Sequence, residues 1–304
     1  MIDEKIIENY IENFNFKRML IVPVILLVLS LSILAYTQYT TGSPVKLGFE
    51  FKGGVAISFD STKTPDELKA EFQAYNVIQA REYNGKRKLI QFGPMTEAQL
   101  SEVTTRINSE YTDVEIKQMG EVVSKSLQKQ ALVAIVISFL GMAVVVFVIF
   151  KSFIPAIAVV ISAFADIVFA VAMMNVFGIS LSLGTVAALL MLIGYSVDTD
   201  ILLTNRLLKR KGEIKHKIKH AMKTGLTMTT TTMVALVALF IVSSGSYLVS
   251  TFTRIDIIRD ISVVLIFGLM ADLINTWMTN MGILRWYMEK GIEERTSKRR
   301  GKHE

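Results

Sequence analysis

GYSVDTDILLTNR, Gly194–Arg206, puts two carboxylates into a stretch that otherwise has the composition of a membrane helix. An aspartate at the centre of such a helix costs roughly 2.5–3.5 kcal/mol on insertion scales, so Asp198 and Asp200 need a physical reason to be there. At about 100° per residue they point about 160° apart and cannot share a face. Asp198 shares its face with Ala187, Met191, Gly194 and Asn205. The small Ala187 and Gly194 would let another helix come close. This predicts Asp198 inside a helix bundle. Asp200 is predicted to face elsewhere, satisfied by Arg206, by the basic residues that follow or by water. Arg206 is predicted to snorkel toward headgroups and end the helix.

The rest of the chain supports a membrane setting. Of 304 residues 51% are hydrophobic, the mean hydropathy is +0.44 and the isoelectric point is near 9.3, a balance typical of a polytopic membrane protein. Spanning lengths occur at Met19–Tyr36, Ala131–Phe150, Phe153–Val176, Ile179–Leu203, Gly225–Val242 and Ile261–Ile283. The first is long for a signal peptide, and Tyr36-Thr37-Gln38-Tyr39 offers no small-x-small cleavage site, which predicts an uncleaved anchor. The chain has no cysteine, which excludes disulfides, thiolate chemistry and cysteine-based metal sites.

Positive charge clusters beside the apolar runs, a topology signal rather than a nucleic-acid footprint. Lys17, Arg18, Lys151, the basic run from Arg206 to Lys223, and Lys298 to Lys302 lie on one side, while the alternate loops carry only Arg254 and Asp256. Both termini (1–18 and 286–304) and the basic loop 205–223 are predicted cytoplasmic, around spans at 19–37, 128–150, 153–176, 179–204, 224–243 and 257–285. Two readings of the basic runs stand: topology determinants against anionic lipid, or a docking surface for a cytoplasmic partner.

Residues 38–127 are predicted to form an extracytoplasmic domain. Val55–Phe59 alternates with a β period, and Thr64-Pro65-Asp66-Glu67 opens a helix to about Ala74. NVIQAREYNGKRKLIQF reads as a hairpin turning at Asn84-Gly85. A second amphipathic helix and a last strand, DVEIKQMGEV, complete the order β-α-β-β-α-β of a ferredoxin-like domain. No histidine or catalytic cluster falls within it. Upstream, Gly48, Gly53 and Gly54 of GFEFKGG mark a turn or a tight backbone approach rather than a phosphate cradle.

Asp166 lies near the middle of the third run, on a face with Ser162 and Ala170, and Asp272 near the middle of the sixth. Intramembrane carboxylates mark ion or proton pathways more often than structural hydrogen bonds. TMTTTTMV, Thr227–Val234, opens the fifth run. Its hydroxyls either bond back to the preceding turn or, through Thr229 and Thr230, line a hydrated path. Lys223, one turn earlier, either faces headgroups or reaches inward as a counter-ion.

Four stretches resemble the SecF branch of the SecD/SecF family, within the resistance-nodulation-division superfamily. GFEFKGG is similar to its G-hydrophobic-D-F-x-G-G motif, with Phe51, Gly53 and Gly54 in register and Glu50 replacing the usual aspartate. AFADIVFAVAMMNVFGISLSL, LIGYSVDTDILLTNR and KTGLTMTTTTM resemble its third, fourth and fifth spans. The resemblance implies six transmembrane helices with one small α+β extracytoplasmic domain, and an accessory role in late protein export. It also implies a SecD partner, the Sec translocon channel and the exported polypeptide as contacts, coupling to a proton gradient through membrane aspartates, and no cofactor, metal or catalysis. Bacterial members carry Asn-Asp where this chain has Asp198-Thr199, Asp200 is extra, Lys223 replaces an arginine and Asp272 has no expected counterpart, differences that resemble archaeal forms. Three other classes compete: an intramembrane aspartyl protease, disfavoured by its FAD and SVD contexts, a non-conducting scaffold, and a small-molecule exporter half.

Overall fold

The computed structural model describes residues 4–12, 19–84, 87–209, 212–244 and 256–300. Apolar length decides most of the helices. Among the described residues five are long and apolar enough to cross a membrane: α2 (Ile21–Thr41), α6 (Glu121–Phe150), α7 (Phe153–Phe177), α8 (Leu183–Lys209) and α9 (Ile214–Ser243). The 25 residues of α7 reach about 38 Å at 1.5 Å per residue, enough for a hydrocarbon layer of about 30 Å. The chain is thus a multi-pass membrane protein carrying a small antiparallel sheet. More than half of the apolar windows of α7 and α8 lie inside the protein, whereas α2, α6 and α9 leave most of theirs exposed. α7 and α8 therefore form the centre.

The sixth apolar run is not one α-helix. It comprises α10 (Asp256–Ile274), a π-helical segment (Asn275–Asn280) and α11 (Met281–Arg300). Gly268 of α10 sits directly against the Leu192 side chain of α8, the kind of close approach that small residues allow. The basic stretch 205–223 is mostly helical: Arg206 and Lys209 end α8, and Lys215 to Lys223 begin α9. An amphipathic helix before the first span, α1 (Glu4–Glu12), packs Ile7 and Ile11 against Leu203, Leu207, Ile218, Trp277 and Met281. Its Glu8 pairs with Lys219 at 2.6 Å, a partly exposed contact of at most about 1 kcal/mol.

A short helix, α3 (Phe49–Lys52), leads into β1 (Gly54–Asp60), α4 (Pro65–Glu71), β2 (Val77–Asn84), β3 (Arg87–Phe92), α5 (Glu97–Glu110) and β4 (Thr112–Met119). The sheet order is β2-β3-β1-β4, and every pairing is antiparallel. Both long helices of the domain start on capping boxes, Thr64 with Glu67 and Thr96 with Gln99, which satisfy amide groups left open at a helix start. α4 stops at Glu71, short of the predicted Ala74. The hairpin pairs Asn84 with Arg87; its predicted turn residue Gly85 lies outside the described residues. Val55, Ile57, Phe59, Ile90 and Phe92 bury one sheet face against Leu68, Phe72, Val103 and Ile107, at roughly 1.5–3 kcal/mol per fully buried side chain.

A backbone strap ties this domain to the helices. Gly48 donates to the Leu181 carbonyl at 2.7 Å, and Leu181 donates to that of Lys46, also at 2.7 Å. Asn175 at the end of α7 donates to the Pro44 carbonyl and accepts from the Lys46 amide. A Cβ on Gly48 would stand 2.5 Å from the Leu181 oxygen, so the strap requires glycine there. The predicted turn at Gly53 and Gly54 is present, with φ of +75° and +118°. Phe51 is buried against Ala131 and Val186, and its carbonyl accepts from Gln128.

Candidate functional site

Three carboxyl groups meet where α7, α8 and the α10–π junction cross. Asp166, Asp200 and Asp272 are each 0% exposed. Asp166 accepts from Asn275 Nδ2 at 2.6 Å on Oδ1 and from Ser196 Oγ at 2.5 Å on Oδ2. Asp200 Oδ1 accepts from Asn280 Nδ2 at 2.8 Å. The Thr276 hydroxyl lies 2.8 Å from Asp200 Oδ1 and 3.0 Å from Asp272 Oδ1. Every hydrogen bond to the three carboxyl groups among the described residues thus comes from a neutral side chain. No cluster among those residues suits a metal ion.

The placement of Asp198 and Asp200 reverses the expectation drawn from the small-residue face. Asp200 is the buried one, and Asp198 is exposed along with Ala187, Met191, Gly194, Tyr195 and Asn205. The helical geometry separating them holds. The error lay in taking the stripe with Gly194 and Ala187 as the seam inside this chain: a Cβ on Gly194 would meet nothing within 4 Å. The inward stripe is instead Leu192, Ser196, Asp200, Leu203, Thr204 and Leu207. Arg206, expected to snorkel or to satisfy Asp200, donates to the His220 carbonyl at 2.5 Å and joins the ends of α8 and α9.

The threonine run divides. Thr227, Thr231 and Thr232 donate to carbonyls one turn back, as threonines in membrane helices commonly do. Thr229 is buried and Thr230 exposed, while Lys223 is partly exposed. α9 approaches closely at Gly225, where a Cβ would stand 2.6 Å from the Trp277 ring and 3.4 Å from the Thr199 methyl.

Sequence reasoning missed the donors. Asn275, Thr276 and Asn280 all belong to the π segment, a helix form often found at functional sites. Their signal was present as Asp272, Thr276 and Asn280 at i, i+4 spacing within an apolar run. Ser196 likewise stands one turn before Asp200, on the same inward stripe.

The family model described as Protein export membrane protein SecD/SecF, C-terminal, matches residues 99–290. Protein-export membrane protein SecF of Methanolacinia petrolearia is 46% identical over 92% of this chain and 97% of its own length. SecF of Pyrococcus furiosus is 39% identical over 90% of this chain and 92% of its own. Among solved structures, SecDF, a translocon-associated membrane protein from Thermus thermophilus, superposes with a TM-score of 0.69 at 16% identity, over 91% of this chain. That fold likeness takes in 39% of the SecDF chain, so this protein corresponds to about two fifths of it. Full-length alignment to relatives of that identity, with the family model spanning well over half the residues, makes the chain a member of the SecD/SecF family of protein-export membrane proteins.

Proposed function

We propose that this chain is a SecF-type accessory subunit of the Sec translocase, acting beside a SecD-type partner in late protein export and driven by a transmembrane proton gradient. The observation that carries the coupling is the buried triad. Asp166, Asp200 and Asp272 sit among apolar helices, and among the described residues all their hydrogen bonds come from neutral side chains, a setting that favours groups that bind and release protons over permanently charged ones. In such a setting proton binding and release changes the charge of the bundle centre, and with it the helix packing.

The topology follows from the charge distribution: six spans, the sixth formed by α10, the π segment and the start of α11, with termini and basic segments cytoplasmic. The β-α-β-β-α-β order and the β2-β3-β1-β4 sheet fit a ferredoxin-like domain on the outer face, placed to touch emerging polypeptide. Asp200 takes the leading role, with Asp166 and Asp272 beside it, and Thr229 and Lys223 border the site on α9. The exposed α8 face with Ala187, Gly194, Tyr195, Asp198 and Asn205 is the seam for the partner bundle: small residues give close approach, and Asp198 and Asn205 supply polar groups for the partner helix to meet.

Export into membrane vesicles, with and without an imposed proton gradient, tests the reading with Asp166→Asn, Asp200→Asn and Asp272→Asn. Each is expected to remove most of the gradient stimulation while leaving the ungraded rate. Normal stimulation in all three would leave a non-conducting scaffold as the function.

A further inference from the structure

The Thr276 hydroxyl touches two carboxyl oxygens but holds one proton. It can donate to Asp200 Oδ1 at 2.8 Å or to Asp272 Oδ1 at 3.0 Å, not to both. If both carboxyl groups were ionised, one of these contacts would press lone pairs together with nothing between them. A proton on one carboxyl group, donated to Thr276 Oγ, satisfies both contacts. The hydrogen-bond inventory also says which end holds it. Asp200 Oδ1 already accepts from Asn280, so a proton there would compete with that amide. Asp272 Oδ1 meets Thr276 and carries no amide donor among the described residues, with the Thr199 hydroxyl beside the same carboxyl group.

We infer that Asp272 and Asp200 share one proton through Thr276, which makes the three side chains a proton-transfer relay inside this single chain. The inference rests on the proposed gradient coupling and names the atoms that carry it. In the resting arrangement Asp272 Oδ1–H donates to Thr276 Oγ, and Thr276 Oγ–H donates to Asp200 Oδ1. Transfer breaks the O–H bond of Asp272 as Thr276 Oγ gains that proton. It breaks the original Oγ–H bond as Asp200 Oδ1 gains that one. Thr276 ends neutral, the pair keeps its single negative charge, and that charge has moved from α8 to α10.

A second observation marks the site as one that receives protons. Asp200 Oδ2, Asp272 Oδ2 and Asn280 Oδ1 are buried acceptor atoms without a hydrogen bond of normal geometry among the described residues, and the hydroxyls of Ser162 and Thr199 lie beside Asp200 and Asp272. Oxygens of this kind are rare in an interior and accept any proton-bearing guest. Among the described residues the ionisable groups at the relay are its own Asp200 from α8 and Asp272 from α10, with Asp166 of α7 beside them. On α9, Thr229 is buried and Lys223 partly exposed, and Pro23, Leu26 and Leu27 of α2 line a small cavity with Asn275.

The test combines infrared absorption of the full-length protein in liposomes with gradient-stimulated export. The wild type is expected to show the C=O stretch of a protonated, hydrogen-bonded carboxylic acid at neutral pH. Asp272→Asn should remove the band, and Asp166→Asn should leave it. Thr276→Val, which keeps the shape and removes the hydroxyl, should move the band to higher wavenumber. It should also cut gradient-stimulated export by roughly 10²-fold, the low end of what a positioned proton-transfer group contributes. Thr276→Ser should restore both, which separates loss of the relay from a folding defect. No carboxylic acid band in the wild type, or a Thr276→Val protein with wild-type band and export, would overturn the relay. If Asp200→Asn abolishes stimulation while Thr276→Val does not, the relay falls and the coupling stands. If Asp200→Asn alone is fully stimulated the relay falls, and if Asp166→Asn and Asp272→Asn are fully stimulated as well the coupling falls with it.

Discussion

Gly225 shows how much of the site depends on the absence of a side chain. It lets α9 approach so closely that the Trp277 ring would lie 2.6 Å from an added Cβ. Trp277 belongs to the π segment that supplies three of the donors. Gly225→Ala is therefore expected to push Trp277 and destabilise the bundle by about 1–3 kcal/mol, the usual cost of overpacking. Thermal unfolding in detergent measures the loss, with tryptophan fluorescence reporting the ring's displacement. An unchanged transition and spectrum would mean that the helices have room to spare. Asp198 and Asp200 teach the matching lesson about reading. Their angular separation was legible in the sequence, because helix geometry is local. Which of the two faced inward was not, because a stripe of small residues marks a close contact without saying whether the neighbour belongs to the same chain. The better guide was chemical: Ser196, Asp200 and Thr204 repeat at four-residue intervals between leucines, a polar stripe on an apolar helix, and Ser196 on that stripe donates to Asp166.

At the scale of elements, the π segment and α1 act together. Widening the helix over Asn275–Asn280 turns Asn275, Thr276 and Asn280 toward the aspartates, and the Trp277 carbonyl accepts from Tyr10 of α1 at 2.9 Å. The helix before the first span thus touches the element that holds the carboxyl groups. Burial pushes the Tyr10 hydroxyl from 10.0 up to about 12, so it stays protonated and donating throughout the physiological range. The unfolded chain would ionise Tyr10 near pH 10 while the docked form resists, so attachment of α1 is expected to weaken between about pH 10 and 12. Tyr10→Phe should remove that dependence and raise amide exchange in α1 at neutral pH. Unchanged exchange would show that Ile7 and Ile11 hold α1 alone. The π segment itself was not legible: its residues read as the continuation of an apolar helix, and the register change depends on packing against α7 and α8. The domain's helices were legible, because Thr64/Glu67 and Thr96/Gln99 are local capping pairs that need no tertiary context.

Across the whole molecule, the strap of residues 44–48 connects the α/β domain to the α7–α8 turn, and Asn175 fastens it from the end of the helix that carries Asp166. A change in helix packing around the triad therefore has a short covalent and hydrogen-bonded route to the sheet. GFEFKGG reads as a turn in sequence, and its fastening role became visible only with Leu181, more than a hundred residues away, in place. The same distance explains why the triad was partly legible. Each aspartate stood out against its own apolar run, but the runs had to be packed before three separate anomalies became one site. The most direct measurement is proton uptake by liposomes containing the chain with the proposed SecD-type partner, followed with an internal pH-sensitive dye after a pH jump. The account predicts gradient-driven uptake above that of protein-free liposomes, reduced to their level by Asp200→Asn. Uptake equal in the wild type and Asp200→Asn would contradict it.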